Sequence, residues 1–166
     1  MVGGITSMLR FAIVFFILLT IPLRANLGDT VAQCVARYGK PIGFTEANAK
    51  FPFGTLAFVA TDYTLIVFLL DTKEVGAKVS KQDKSAFTPS EMQNIMAADT
   101  AGSPWTSTPS ADPTCLTWTR GDKATVLYDK QKHILIFTST EMANALHQPP
   151  PANPPVKPVV PPATSP

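Results

Sequence analysis

The stretch GDTVAQCVARYGKP, residues 28–41, predicts a short capped helix at the start of the folded part of the chain. The Thr30 hydroxyl can accept a hydrogen bond from the Gln33 amide while the Gln33 side chain binds the Thr30 amide, which is the reciprocal capping-box arrangement. Gly39 favours a left-handed stop, and Pro41 prevents the helix from continuing. We therefore predict a two-turn helix between Thr30 and Gly39.

Apolar side chains recur along this helix at the i, i+3, i+4 and i+7 positions, which is the pattern of a helix with one buried face. These positions are Val31, Cys34, Val35 and Tyr38. The pattern predicts that Cys34 faces the core, where desolvation raises the pKa of a thiol. We therefore expect Cys34 to be a packed core residue.

Outward from this helix, six β-rich runs separated by short turns predict an antiparallel sheet. They cover residues 56–60, 64–70, 75–80, 115–119, 124–128 and 134–138. A second helix is predicted from the capping pair Thr88 and Glu91 to Gly102, and a short third helix over residues 139–146. We expect an α+β fold with about six antiparallel strands, two short helices on one face and two tandem α-β-β-β halves.

The two ends of the chain differ in composition from the middle. Residues 11–21 are apolar and follow Arg10, and the run is too short to span a bilayer, so residues 1–25 are predicted to be a signal peptide. Proline makes up nine of the nineteen residues of 148–166, which are predicted to be a disordered tail. The folded domain is then 26–147, exported to the periplasm or cell envelope. The alternative is an uncleaved leader, in which case the protein is membrane-anchored.

The charge balance argues against a nucleic-acid partner. The chain has 14 Lys and Arg and 12 Asp and Glu, and the excess of two comes from Arg10 and Arg24 in the predicted leader. Phosphate binding needs clustered basic side chains. The lysines at 73, 78, 81 and 84 are instead interleaved with acidic residues.

Residues that could carry catalysis or bind a metal are dispersed in the sequence. Candidate zinc ligands lack the close paired spacing of a zinc site: they are Cys34, Cys115, His133 and His147. A glycine-rich phosphate loop, a nucleophile elbow and an HExxH motif do not occur. We expect no catalytic residue, metal or cofactor. A thiol-dependent enzyme or redox protein using Cys34 or Cys115 is the alternative function.

The two cysteines leave two structural alternatives open, a disulfide and a pair of buried free thiols. Export and an even cysteine count favour a bridge between Cys34 and Cys115, and closing so long a loop would add about 4 kcal/mol of stability. Strand alternation opposes it, because Leu116 and Trp118 share one face and leave Cys115 on the other.

Continuous apolar strands predict that both faces of the sheet are covered. Residues 65–70 are apolar at every position, and 134–137 repeat the pattern. Two helices cover one face, so the other needs the third helix, the loop at 51–53 or a protein partner. The residues that we assign to a candidate partner surface are Val67, Phe68 and Trp118.

The opening unit resembles a known family. Its Gly-x-Thr, short helix and Tyr-Gly-x-Pro order is similar to that of the SmpA/OmlA-like family, which includes the small lipoprotein of the barrel-assembly machinery. The matching residues are Gly28, Thr30, Val35, Tyr38, Gly39 and Pro41. Two successive helix-plus-strands units also resemble β-lactamase inhibitory protein. These resemblances imply a non-catalytic scaffold or inhibitor, so we expect an exported envelope protein that binds an unknown protein partner.

Overall fold

The computed structural model describes residues 26–48 and 50–148, which form a single antiparallel sheet with three helices. The predicted signal peptide and all but the first residue of the predicted tail lie outside the described residues. Within the two described ranges, no helix combines the length and the apolar character needed to cross a bilayer.

The helices are α1 (Val31–Tyr38), α2 (Pro89–Ala97) and α3 (Thr140–His147). The strands are β1 (Gly43–Thr45), β2 (Gly54–Ala60), β3 (Tyr63–Leu70), β4 (Lys73–Lys81), β5 (Thr106–Thr108), β6 (Cys115–Thr119), β7 (Thr125–Asp129) and β8 (Ile134–Thr138). In the sheet they follow the order β1-β2-β3-β4-β8-β7-β6-β5. The predicted α+β class is confirmed.

The predicted count of about six strands was wrong, because the sheet has eight. The two additional strands, β1 and β5, have three residues each and form the two edges of the sheet. Their sequences, GFT and TST, carry no apolar alternation. They are strands because a longer neighbour pairs with them, which a local pattern does not reveal.

The two predicted capping boxes are confirmed. In α1 the Thr30 amide donates to Gln33 Oε1 at 2.8 Å, and the Gln33 amide donates to the Thr30 hydroxyl at 3.3 Å. In α2 the Thr88 amide donates to Glu91 Oε2 at 2.7 Å, and the Glu91 amide donates back at 3.2 Å. Each box satisfies amides that a helix leaves unpaired at its first turn.

The order helix followed by four antiparallel strands occurs twice. The caps Thr30 and Thr88 lie 58 residues apart, and so do Lys78 and Ile136, which pair at the middle of the β4–β8 ladder. The two halves are therefore meanders that meet at their last strands, with a short edge strand added to each predicted α-β-β-β unit.

One face of the sheet packs against α1 and α2. Cys34 of α1 and three side chains of α2, Met92, Ile95 and Met96, belong to its core. The strand residues of this core are Leu56, Phe58, Leu65, Val67, Leu69, Ala77, Val79, Val126, Tyr128, Leu135 and Phe137. Val35 does not belong to it, because its side chain is 37% exposed.

The opposite face has a smaller apolar cluster. Phe53, Val75 and Met142 form its buried part, and Phe51 and Phe68 pack against them. Helix α3 and the loop before β2 therefore cover this end of the face. Of the two alternatives for this face, cover by the chain itself and cover by a partner protein, the first is observed at this end of the sheet.

Candidate functional site

A one-residue bulge in β4 brings a carboxylate into the core beneath α1. Phe68 pairs with Gly76, but the next residue, Leu69, pairs with Glu74, so Val75 has no partner on β3. Val75 consequently joins the α3 side of the sheet, and Glu74 turns to the side of α1. A bulge reverses the alternation of side chains between the faces of a strand. Glu74 is only 1% exposed.

The segment that precedes α1 pairs with the start of β4. The Gly28 amide donates to the Glu74 carbonyl at 2.8 Å, and the Glu74 amide donates to the Asp29 carbonyl at 2.7 Å. The Val31 amide donates to the Thr72 carbonyl at 3.2 Å. This short ladder places Asp29 next to Glu74 and below the first turn of α1.

Asp29, Cys34 and Glu74 form one buried cluster. The Cys34 thiol donates to Glu74 Oε2 at 3.4 Å, and one donor atom of each of the three residues lies within 4.8 Å of the others. Asp29 Oδ1 accepts a 2.8 Å hydrogen bond from Asn26, and Asp29 Oδ2 lies 2.8 Å from the guanidinium of Arg37. The structure thus joins residues that are up to 45 positions apart in the sequence.

Burial dominates the electrostatics of this cluster. It raises the pKa of the Glu74 carboxyl to about 8. It also raises the pKa of the Cys34 thiol to about 12, and the Glu74 carboxylate adds to that shift. A thiol in this state is a poor nucleophile at neutral pH, because the thiolate is the reactive form.

Three buried polar atoms in or beside the cluster have no hydrogen-bond partner within the described ranges: Asp29 Oδ2, Glu74 Oε1 and the neighbouring Tyr38 hydroxyl. Asp29 Oδ2 is compensated by its ion pair with Arg37, whereas Glu74 Oε1 and the Tyr38 hydroxyl are not. Burial raises the pKa of Tyr38, and the Glu74 carboxylate is the second cause, which places the hydroxyl in the same electrostatic environment. Unpaired buried polar atoms are uncommon in native proteins and call for a physical explanation.

A second buried charge cluster is centred on Arg120. Its guanidinium donates to Asp99 Oδ1 at 2.6 Å and to the Asp99 carbonyl at 2.8 Å, and two further bonds reach Asp122 at 2.9 and 2.8 Å. Arg120 also stacks over Trp105, with 4.8 Å from Cζ to the ring centroid. These contacts tie the end of α2 to the β6–β7 turn, which is a structural role.

A polar depression of about 290 Å³ lies at the end of β4. Lys81 and Glu91 line it and form an ion pair of 2.7 Å. Glu91 also completes the capping box of α2, and the Lys81 ammonium lies 5.8 Å from the Phe87 ring centroid. Lys81 and Glu91 are thus engaged in holding α2 to the sheet.

The structure does not bring the two cysteines together, and both are free. Cys34 points from α1 into the core. On β6, Trp118 packs against that same core, so alternation places Cys115 on the opposite face. Cys115 is half-buried, and its sulfur lies 3.8 Å from Asp112 Oδ2.

The three residues assigned to a partner surface do not form one surface. Val67 is fully buried beneath the helices, whereas Phe68 points to the other face and packs against Phe51. Trp118 is half-buried on the helix side. The assignment of Val67 to a partner surface was wrong, because its side chain is fully buried. The side chains of β3 alternate between two covered faces, so its apolar run reflects burial on both sides of the sheet.

Of the large apolar side chains in the described residues, the two most exposed lie at the β1 edge. Ile42 is 68% exposed and Phe44 is 62% exposed. The opposite edge, β5, reads Thr-Ser-Thr between Pro104 and Pro109. A proline precedes each edge strand by two residues, Pro41 before β1 and Pro104 before β5, so the difference lies in the side chains. Polar side chains discourage strand addition at an edge, whereas exposed apolar residues favour it. The two edges of the sheet therefore differ in chemistry.

Comparison with known proteins assigns no family. No protein-family model matches the chain, and no curated protein matches it. A cysteine-rich secretory protein from Staphylococcus aureus subsp. aureus Mu50 is 12% identical, with a TM-score of 0.46, over 70% of this chain and 45% of that one. An extracellular protein containing an SCP domain from Bacillus anthracis str. Ames is 11% identical, with a TM-score of 0.42, over 95% and 55%. The chain spans about half the length of each, and likeness at this level assigns it no function.

Proposed function

We propose that this protein is an exported, non-catalytic module that binds a partner polypeptide at the β1 edge of its sheet. The observation that carries the proposal is the exposure of Phe44 in the edge strand β1 and of Ile42 just before it, while β5 at the other edge has only polar side chains. An extended partner segment adds a strand to such an edge through main-chain hydrogen bonds, and apolar side chains supply further contact.

The chemistry of the core supports a non-catalytic role. The thiol of Cys34 is buried, and its raised pKa opposes formation of a thiolate. The carboxylates of Asp99 and Asp122 are paired with Arg120, and that of Glu91 is paired with Lys81. These pairings stabilise the fold and leave little reactivity for the alternative thiol enzyme at Cys34.

Export is proposed on the composition of residues 1–25, a short apolar run behind a basic residue. N-terminal sequencing of the protein recovered from the envelope or the medium tests it. A mature N-terminus near position 26 is expected. An intact leader would favour the membrane-anchored alternative.

Photo-crosslinking in the producing cell tests the partner edge. A photoreactive residue at position 44 should give a discrete adduct, whereas the same residue at position 107 of β5 should not. The adduct should disappear when Ile42→Asp is added, because a charge beside the strand opposes association of an apolar segment. Equal adducts from both edges would contradict the proposal.

Light scattering of the purified protein distinguishes the kind of partner. If the purified protein is a monomer and the adduct forms only in cells, the partner is a different protein. If the purified protein is a dimer and Phe44→Asp converts it to a monomer, the partner is a second copy of this chain. The control variant Ser107→Asp should leave either state unchanged.

A further inference from the structure

We propose that Asp29, Cys34 and Glu74 bind one divalent cation of the zinc type. The site lies beneath α1, in the core, and is independent of the proposed partner edge. Sequence patterns predict no metal here, because the three ligands come from the segment before α1, from α1 and from β4.

The separation of the donor atoms fits a metal centre. With metal–sulfur and metal–oxygen distances of about 2.3 and 2.1 Å, two ligands of a tetrahedral zinc ion lie about 3.6 Å apart. The Cys34 sulfur and Glu74 Oε2 are 3.4 Å apart, and Asp29 completes a set whose donor atoms lie within 4.8 Å of one another. The sulfur and Glu74 Oε2 are already at the spacing of two zinc ligands, and the Asp29 oxygen would have to approach by at most about 1.2 Å, the difference between 4.8 and about 3.6 Å.

A second observation points to a missing ligand. Glu74 is 1% exposed, and its Oε1 has no hydrogen-bond partner in the part of the chain that the structure describes. An unpaired buried acceptor costs about 1–3 kcal/mol. The Cys34 thiol satisfies only the other oxygen. A bound cation would satisfy the carboxylate and account for its burial.

The charge of the cluster matches a divalent ion. With Cys34 as thiolate and both carboxylates ionised, the three ligands carry three negative charges, and Arg37 beside Asp29 supplies one positive charge. The remaining two negative charges are those that one divalent cation neutralises.

The ligand types favour zinc over magnesium or calcium. Zinc binds thiolate and carboxylate together, whereas the two hard cations prefer oxygen ligands alone. Three protein ligands leave a fourth position for water or another donor. In this place the ion would join the segment before α1 to β4, so binding should stabilise the fold.

Cobalt(II) is the probe for the first test, because a thiolate ligand gives it a charge-transfer absorption band. The protein is purified from the exporting host, treated with a chelator, reduced and titrated with cobalt. We expect a saturable band with a stoichiometry of one, which zinc abolishes by competition. The band should be absent in Cys34→Ser and retained in Cys115→Ser, the matched control for the second thiol.

The variant Glu74→Gln tests the carboxylate while keeping the size of the side chain. It should weaken cobalt binding by more than about tenfold, the smallest effect expected even for outer-shell partners. Zinc should raise the melting temperature of the original protein and not that of Glu74→Gln. The double variant His133→Ala with His147→Ala should bind normally, which separates this site from surface histidines.

Any of three results would overturn the proposal. The first is a folded, reduced protein without a saturable cobalt band, the second is a band that persists in Cys34→Ser, and the third is an affinity unchanged by Glu74→Gln. If Cys34→Ser does not fold, the affinity of Glu74→Gln decides. None of these results bears on the partner edge, which the crosslinking experiment tests separately.

Discussion

The thiol of Cys34 donates a 3.4 Å hydrogen bond to the carboxylate of Glu74, and both side chains are at most 1% exposed. This contact joins helix α1 to strand β4 across 40 positions of sequence. It places a titratable acid in the core of a protein whose other carboxylates mostly serve caps, turns and ion pairs. The first two predictions concern this pair.

The stability of the metal-free protein should fall as the pH rises from about 4.5 to about 8. Burial raises the pKa of Glu74 from 4.5 to about 8, so the folded state binds this proton more tightly than the unfolded chain. The folded state then holds more protons within this window, and raising the pH removes stability, by roughly 3–5 kcal/mol. Urea unfolding at pH 5 and pH 8 in the presence of a chelator measures the difference.

Glu74→Gln is the control for that prediction, because it keeps the shape and removes the titration. Its unfolding free energy should change much less between pH 5 and pH 8. A variant with the same pH dependence as the original protein would show that another group is responsible.

The two thiols should differ in reactivity. Cys34 is fully buried with a raised pKa, whereas Cys115 is half-buried. A chromogenic disulfide reagent at pH 8 should therefore label one thiol in the native protein and two after unfolding, without prior reduction. Cys115→Ser should show no native labelling. Rapid labelling of Cys34, or a need for reductant before either thiol reacts, would contradict the structure.

Removing Arg120 should destabilise the fold strongly. Arg120→Met leaves Asp99, 1% exposed, without its cation, and breaking a buried pair in this way costs about 3–5 kcal/mol. Asp122→Asn should cost less than about 1 kcal/mol, because the Asp122 side chain is 52% exposed. Urea unfolding of both variants measures the contrast. Equal losses would show that the exposed pair matters as much as the buried one.

Gly76 should not tolerate a side chain. A Cβ there would clash with Met142 Sδ of α3 and with the Phe137 carbonyl of β8. We expect Gly76→Ala to cost about 1–3 kcal/mol through overpacking. In Gly54→Ala the new Cβ would meet Thr45 O at 3.6 Å and Leu69 Cβ at 3.9 Å, which are ordinary contacts. Thermal unfolding of the two variants tests whether α3 packs this closely on the sheet.

Local signals explain what could be predicted. The capping boxes at Thr30 and Thr88 involve residues three positions apart, so they can be identified without knowledge of the fold. The six longer strands follow from composition and short turns. The edge strands β1 and β5 could not be predicted, because three residues without alternation become a strand only beside a longer neighbour.

The candidate sites depend on long-range geometry. Val67 and Phe68 lie in one apolar run, and only the packing of two layers shows that one is fully buried while the other contacts Phe51. Glu74 follows a lysine in what the sequence suggests is a solvated turn, yet it is among the most buried side chains. No local pattern distinguishes it from an exposed glutamate.

By itself, the sequence determined the α+β class, the starts of α1 and α2, the antiparallel pairing and the inward orientation of Cys34, because each rests on caps, turns or periodicities that are local in the chain. Only the tertiary structure decided that Asp29, Cys34 and Glu74 meet. The physical reason is the bulge at Val75, which turns Glu74 toward α1, and the short ladder that holds Asp29 beside it.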